Sequence, residues 1–369
     1  MTRVDDTGPH TEDSYGDPGS PLSRRMPDGT YRLARVTGPM PEDGWEPAKT
    51  AAATARMSPG PVVWKTGVKL ILEGDGASDA GDRPFLDLFD LDTGATRRLW
   101  QSPKAGSLER PGSIISDVDG APITLDTLKI LLSRETRSEN PQYYSLELSA
   151  SNAALVPRRI SDFPHPHPSL IDPPKEIIKY QRDDGVDLNA TLYLPPGYDA
   201  ARDGPLPTIM WAYPREFNSV EAAGQLRDSP YRFTGISASS PLVWLSRGYA
   251  ILEGPALPII GSAAEGVEPN DTYIKQLVAG ARAAVQEVVR RGVTDPHRIA
   301  VGGHSYGAFM AANLLAHAPD LFACAVARSG AYNRTLTPFG FQAEERTLWE
   351  APETYMVGDV RITRNEPNC

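Results

Sequence analysis

The pattern of hydrophobic and polar positions changes twice along the chain. Residues 1–61 contain nine prolines and little periodic hydrophobicity, which predicts a poorly ordered N-terminal segment. Residues 62–162 carry short apolar stretches bounded by turn residues, beginning with Val62–Trp64 and Val68–Leu72, and predict β-strands. From residue 175 onwards, strand-like and helix-like periods alternate.

Two hairpins are predicted in the β-rich region. Phe85–Leu91 reaches the turn Asp92-Thr93-Gly94 and returns through Arg98–Trp100. Thr127–Leu132 and Tyr143–Leu148 form a second pair around a polar turn. Hairpins at this spacing, without a helix between them, predict a partial all-β propeller-like region of two to three blades over 62–162.

Residues 163–174 contain five prolines and predict an extended linker between two domains. His165 and His167 within it are also possible metal ligands, but no further ligands accompany them. We therefore favour the linker.

Residues 175–369 predict a mostly parallel sheet, because strands and helices alternate. The predicted elements are the hairpin 175–181 and 186–194, the strands 206–213, 249–252, 298–302 and 321–327, and the helices 271–291 and 306–317.

The stretch Gly303-His304-Ser305-Tyr306-Gly307 lies between a predicted strand and a predicted helix. This is the context of a nucleophile elbow, in which a serine on a strained turn projects its hydroxyl at the carboxyl edge of the sheet. The glycines are needed because side chains two residues from the serine would collide with backbone.

These residues resemble a known family. Residues 173–355 look like the catalytic domain of the prolyl oligopeptidase family of serine peptidases, in particular its glutamyl endopeptidase branch of chloroplasts and bacteria. The resemblance to the catalytic domain rests on the segments Tyr180–Tyr198, Gly302–His317 and Ser329–Phe341. In addition, the hairpin Phe85–Trp100 and the segment Phe163-Pro-His-Pro resemble the end of the family's propeller.

The resemblance implies roles for individual residues. Ser305 would be the acyl-forming nucleophile, with the Tyr306 amide and the Tyr213 hydroxyl as oxyanion donors. An alternative interpretation of Tyr213 is an aromatic residue at the end of a strand that packs on the core. Arg215 departs from the family, which usually has glycine there. The preference of this branch for glutamate requires a cation that pairs with the substrate carboxylate, and Arg334 is a candidate. The alternative is that Arg334 forms an ordinary structural salt bridge.

No histidine after the serine suits the role of base. In α/β-hydrolases the acid and then the histidine follow the serine, but the only histidine after Ser305 is His317, at the far end of the helix. His304 should point away from the serine, and His297 should lie at the opposite sheet edge.

The acid is equally absent. Asp320 is expected in a turn, and Asp359 lies in a tail that ceases to resemble the family from about residue 356. The sequence thus predicts an α/β hydrolase that is C-terminally truncated after about residue 355, and a poor peptidase.

Three functions remain open. The first is a serine-type peptidase acting through an acyl-enzyme on Ser305, with cleavage after glutamate implied by the resemblance. A carboxylesterase-type hydrolase shares the elbow. A catalytically dead fragment or non-catalytic binding protein would keep the elbow only as scaffold.

Composition excludes several other classes. The net charge of −10 leaves no basic surface for nucleic acid, and the two cysteines, Cys324 and Cys369, exclude a disulfide framework or a thiolate zinc cluster. We expect a peptide or protein substrate, no cofactor, no metal and no membrane span. The acidic N-terminus suggests a soluble intracellular protein. The resemblance implies the plastid stroma in a photosynthetic eukaryote, and the cytoplasm is expected otherwise.

Overall fold

The chain forms two compact units, Met1–Pro168 with Leu226–Gly235, and Ser169–Gln225 with Ile236–Cys369. The computed structural model describes residues 13–25, 31–33, 35–36, 40, 46–47, 67, 69–115, 124–148, 156–168, 172–237, 239–262, 266–267, 269–330, 354–357 and 360–363. The boundary between Pro168 and Ser169 falls inside the predicted linker 163–174.

The first unit is built from antiparallel strands. They are β1 Ser20–Pro21, β2 Ser23–Arg25, β3 Tyr31–Leu33, β4 Arg35–Val36, β5 Glu46–Pro47, β6 Lys69–Gly74, β7 Phe85–Asp90, β8 Ala95–Gln101, β9 Leu108–Ile114, β10 Lys129–Glu135, β11 Gln142–Glu147 and β12 Arg158–Arg159. One sheet has the order β1-β6-β7-β8-β5, with β4 also on β6, and a second has the order β12-β11-β10-β9. Strands β2 and β3 pair with each other.

Both predicted hairpins are confirmed. Strands β7 and β8 pair across the turn that contains Gly94 (φ 70°), and β10 pairs with β11 from Lys129↔Glu147 to Arg134↔Gln142. Alternate residues of β10, Ile130 and Leu132, are fully buried, as expected for a sheet with one face on a core.

Part of the N-terminal segment is paired. Ser20–Pro21 and Arg35–Val36 both pair with β6, and Val36 is fully buried in the core of this unit. The predicted strand Val62–Trp64 lies outside the described residues. The described strands of the unit form separate sheets and no closed propeller.

The second unit contains a six-stranded mixed sheet with the order β13-β14-β17-β15-β19-β20. The strands of the unit are β13 Lys175–Gln181, β14 Asp187–Tyr193, β15 Leu206–Trp211, β16 Arg215–Phe217, β17 Ala250–Glu253, β18 Pro258–Ile260, β19 Thr294–His304, β20 Cys324–Arg328, β21 Thr354–Val357 and β22 Val360–Thr363. Its helices are α1 Ala200–Asp203, α2 Val220–Ala223, α3 Tyr273–Arg290 and α4 Tyr306–His317, with 3₁₀ turns at Pro241–Arg247 and Pro269–Thr272.

The predicted parallel sheet is confirmed for its central strands. β17, β15, β19 and β20 are parallel to one another, whereas β14 pairs antiparallel with both β13 and β17. Helix α4 has the predicted bounds, and α3 begins two residues later than predicted, after the 3₁₀ turn.

Strand β17 shows how the sheet is buried. Ala250 and Leu252 face the cluster formed with α3 and α4, whereas Ile251 packs against the 3₁₀ turn Pro241–Arg247. A strand covered on both sides reads as a continuous apolar run, and such runs identify the central strands of this sheet in the sequence.

Candidate active site

The ends of three parallel strands lie at one edge of the sheet. Trp211 on β15 is in register with Gly302 on β19, which is in register with Val326 on β20. The residues that follow, Tyr213 and Ser305, therefore emerge at the same carboxyl edge. Ligands of α/β sheets bind at this kind of edge.

Ser305 occupies a strained backbone conformation between β19 and α4. Its φ is 57° and its ψ is −116°, a combination that residues with a side chain rarely adopt. The Ser305 amide donates to the carbonyl of Arg328 (3.0 Å), and the Ser305 carbonyl accepts from Ala308 and Phe309. The strand-to-helix turn has the geometry of a nucleophile elbow.

The two flanking glycines are required by space. A Cβ at Gly303 would lie 2.5 Å from the carbonyl carbon of Gly307. A Cβ at Gly307 would overlap the carbonyl oxygen of Ala212. The first turn of α4 therefore rests directly on the segment that leads into Tyr213.

Tyr306 is the first residue of α4 and is almost fully buried. Amides of the first helical turn have no acceptor within the helix, so this N–H is suited to an oxyanion. The ring stacks on Tyr273 (centroids 5.7 Å apart, 24° between planes) and on Phe309 (6.0 Å, 24°). The hydroxyl donates to Glu216 Oε1 at 3.1 Å.

Tyr213 follows the end of β15 and is 52% exposed. The edge of its ring contacts the ring of Tyr306, with centroids 5.7 Å apart and planes at 84°. The structure thus brings Tyr213 against the side chain of Tyr306, the residue that follows Ser305.

Two arginines stand near this edge with exposed side chains. Arg215 follows Tyr213 by two residues, and Arg328 ends β20 and bonds Ser305 through its backbone. Neither guanidinium has a hydrogen bond or ion pair within the part of the chain that the structure describes. The predicted cation Arg334 lies outside that part.

The histidines of this unit do not suit the role of base. His317 ends α4, about 17 Å along the helix axis from its first residue. His297 precedes Ser305 by eight residues of strand and turn, roughly 20 Å. His304 is exposed and lies opposite Arg328 in β20, and neighbouring strand residues point to opposite faces.

Asp320 is an ion-pair residue on the surface. It accepts from Arg282 Nη1 at 2.8 Å, and this hydrogen bond lowers the pKa of its carboxyl. It is therefore engaged with α3, whereas the other predicted acid, Asp359, lies outside the described residues.

Within the described ranges there is neither a metal-binding group of side chains nor a helix that could span a membrane. No three His, Cys, Asp or Glu side chains there form a group able to hold a metal ion. In the linker, the His167 amide donates to His165 Nδ1 at 3.0 Å. No helix in those ranges combines the length and the apolar character of a membrane span.

Glu216 and Tyr273 were not predicted from the sequence. Strand β16, which carries Glu216, has three residues and no hydrophobic period. The hydrogen bond from Tyr306 joins residues 90 positions apart, so no local pattern could indicate it. Tyr273 gives only a weak signal, as an aromatic residue at the start of an amphipathic helix.

Comparison with known proteins finds a family match for the segment that carries Ser305. Residues 270–357 match the prolyl oligopeptidase family, Peptidase_S9. The chain is 54% identical over 94% of its length to a protein of Oryza sativa subsp. japonica named probable glutamyl endopeptidase, chloroplastic, and 52% identical over 94% to the Arabidopsis thaliana protein of the same name. Dipeptidyl aminopeptidase BIII of Pseudoxanthomonas mexicana is 31% identical over 39% of the chain, which covers 20% of that protein.

The chain spans about a third of the length of its plant relatives, 34% and 33% respectively. Because the similarity takes in 94% of the chain, it extends over both compact units. The segment that carries Ser305, residues 270–357, matches the prolyl oligopeptidase family, Peptidase_S9, and this match implies the α/β-hydrolase fold.

Proposed function

We propose that Ser305 is the nucleophile of a serine peptidase. The observation that carries the proposal is the strained backbone of Ser305 at a strand-to-helix turn, inside the residues that match the peptidase family. The names of the relatives, two endopeptidases and an aminopeptidase, favour peptide bonds over simple esters as the substrate.

The chemistry is acyl transfer. Ser305 Oγ would attack the carbonyl carbon of the scissile peptide, forming a C–O bond as its proton leaves to a base. The C–N bond then breaks, the amine departs with a proton, and water hydrolyses the ester to release the acid and the serine. None of the described histidines of the second unit is placed to act as this base.

In this proposal two groups would stabilise the oxyanion. The Tyr306 amide begins α4, where the helix dipole also favours negative charge. The Tyr213 hydroxyl would be the second donor, on a ring that contacts Tyr306. Donors aimed at the developing charge are worth about 10²–10³ in rate each.

Arg215 and Arg328 are the described cations suited to an acidic substrate side chain. Both are exposed and carry no partner in the described part of the chain, and both lie near the carboxyl edge beside Ser305. A guanidinium binds a carboxylate through charge-assisted hydrogen bonds. We therefore propose cleavage after glutamate, with Arg334 as a further candidate.

The first unit supports a finer proposal about architecture. Strands β9 to β12 follow one another as a four-stranded antiparallel meander, which is the form of a propeller blade. The predicted partial propeller remains our interpretation of this unit, with 163–174 as the linker that follows it. The chloroplastic relatives favour the plastid stroma as the place of action in a photosynthetic organism.

Labelling with a fluorophosphonate tests the nucleophile. The expected product is a single adduct on Ser305, located by mass spectrometry and lost in Ser305→Ala. Ser329→Ala is the matched control, because Ser329 also has a positive φ (54°) just after the neighbouring strand. An adduct that persists in Ser305→Ala would contradict the proposal.

Paired probes test the glutamate preference. Peptidyl phosphonates with Glu or Gln on the acyl side should label Ser305 at different rates. Arg215→Gln or Arg328→Gln should reduce the preference for Glu about tenfold, by loss of a charged hydrogen bond. Arg247→Gln is the control, since Arg247 is exposed but precedes β17 at the opposite sheet edge. An unchanged preference in both variants would exclude these arginines.

A further inference from the structure

The hydroxyl of Tyr306 connects the elbow to a separate strand. It donates to Glu216 Oε1 at 3.1 Å, and Glu216 lies on β16, three residues beyond Tyr213. The ring of Tyr306 is held between Tyr273, Phe309 and the edge of Tyr213. One side chain therefore contacts both the elbow helix and the segment that carries the second oxyanion donor.

Glu216 is itself held on an ordered element. Strand β16 pairs in parallel with β18, with Glu216 opposite the fully buried Ile259. Its neighbour Phe217 packs on Ala222 and Ala223. On the other side of the pair, the side chain of Gln276 on α3 bonds both the amide and the carbonyl of Ile260 in β18.

Tyr213 lacks comparable support. Its side chain is half exposed, and its ring packs against the ring of Tyr306. The position of its hydroxyl therefore depends on where the Tyr306 ring stands. That ring is fixed at one end by the backbone of the elbow and at the other by Glu216.

We propose that Glu216 is a positioning residue that aligns the two oxyanion donors through the hydroxyl and ring of Tyr306. The inference rests on the proposed function of Ser305, which gives the donors their role. Misplacing a catalytic group by about 1 Å costs up to 10²-fold in rate, so loss of the hydrogen bond should slow acylation without removing the nucleophile.

The experiment uses the full chain with 3-fluorotyrosine and two readouts. ¹⁹F resonances of Tyr213 and Tyr306, assigned from the Tyr213→Phe and Tyr306→Phe variants, report ring positions, and fluorophosphonate labelling reports acylation. Glu216→Ala should shift both resonances and slow labelling of Ser305 about 10- to 100-fold. Glu216→Gln keeps an acceptor for the phenol and should restore both readouts to within about threefold of the parent.

Glu221→Ala is the matched control, because it removes an exposed carboxylate five residues further along that bonds Ser219, and it should change neither readout. The Tyr213 resonance is the decisive measurement. A general loss of stability would not shift this resonance in folded Glu216→Ala and restore it to the parent position in Glu216→Gln. If Glu216→Ala does not fold, Tyr306→Phe removes the same hydrogen bond while keeping the ring, and should shift Tyr213.

An unmoved Tyr213 resonance in folded Glu216→Ala or Tyr306→Phe would overturn the inference. Glu216→Gln that behaves like Glu216→Ala would also overturn it, because the carboxylate would then act by charge rather than by holding the phenol. A parent chain that is not labelled on Ser305 would contradict the proposed function, while the Tyr213 resonance would still decide the role of Glu216.

Discussion

Gly303 has no room for a methyl group because it lies against the backbone of Gly307, and Gly307 has none because it lies against the carbonyl of Ala212. Gly303→Ala and Gly307→Ala should each lower the free energy of unfolding by about 2 kcal/mol or more, because the added carbon forces backbone apart. Urea denaturation measures the effect. Gly235→Ala is the control, since a Cβ there meets nothing within 4 Å, and it should change stability by less than about 0.5 kcal/mol.

If both elbow variants unfold at the urea concentration of the parent, the first turn of α4 can shift at little cost. The contact between α4 and the Ala212–Tyr213 segment would then not be a rigid one, and the steric explanation of the glycine spacing would be wrong.

Individual site residues differ in how far the sequence could predict them. Ser305 and its glycines follow from a five-residue pattern, because the strain and the clashes are local. Tyr213 required the family resemblance, since an aromatic residue after a strand has many uses. Glu216 was missed because its partner comes from a distant part of the chain.

Helix α3 is joined to β13 through a small charged cluster. Glu287 accepts from Arg290 (2.9 and 2.8 Å) and Arg291 (2.6 Å), and Arg291 also donates to Glu176 on β13. The hydrogen bond from Arg290, followed by that from Arg291, lowers the pKa of the Glu287 carboxyl in the folded protein.

A lowered folded-state pKa means that the stabilisation is present above the unfolded pKa, about 4.3, and is lost as pH falls through the folded value. Glu287→Gln should therefore cost about 1 kcal/mol at pH 7 and progressively less below pH 4.5. Urea denaturation at pH 7 and pH 3.5 measures this. Glu176→Gln, which removes only the exposed partner of Arg291, should cost less at pH 7. A cost for Glu287→Gln that is equal at both pH values would contradict the assignment.

Elements with strong periods were predicted well, and irregular ones were not. Strand β13 and helix α4 have the predicted bounds because their patterns are uninterrupted. Strand β9 was missed because Pro111 and Gly112 interrupt it. Proline is tolerated there because β9 is the edge of its sheet. Strands β16 and β18 have three residues each, too few to show a period.

At the scale of the whole molecule, a ten-residue segment joins the first unit from far along the chain. The Leu226 amide donates to the Tyr15 hydroxyl (2.9 Å), the Asp82 amide donates to the Asp228 carbonyl (2.9 Å), and the Phe233 amide donates to Glu135 (3.0 Å). No composition or periodicity distinguishes Leu226–Gly235 from its neighbours, because these contacts are all long-range. Dividing the sequence at the linker 163–174 therefore assigns Leu226–Gly235 to the second unit, although it packs in the first.

The reactivity of Ser305 in the whole 369-residue chain depends on its source of a base. A serine served by histidine reacts at a rate that levels off above the histidine pKa, near 6.5. Among the described histidines of the second unit, none is placed to serve Ser305, so labelling should instead rise about tenfold per pH unit from pH 6 to 10, as expected when hydroxide removes the proton.

Fluorophosphonate labelling across this pH range, with Ser305→Ala as the blank, gives the profile, and circular dichroism at each pH shows that the chain stays folded. Hydrolysis of a glutamyl peptide by the chain should not exceed that of Ser305→Ala, because loss of the base alone costs roughly a million-fold in such enzymes. A plateau near neutral pH, or Ser305-dependent peptide hydrolysis, would refute the prediction. The base would then come from residues outside the described ranges or from a second copy of the chain, and a concentration series separates these two sources because only the second depends on association.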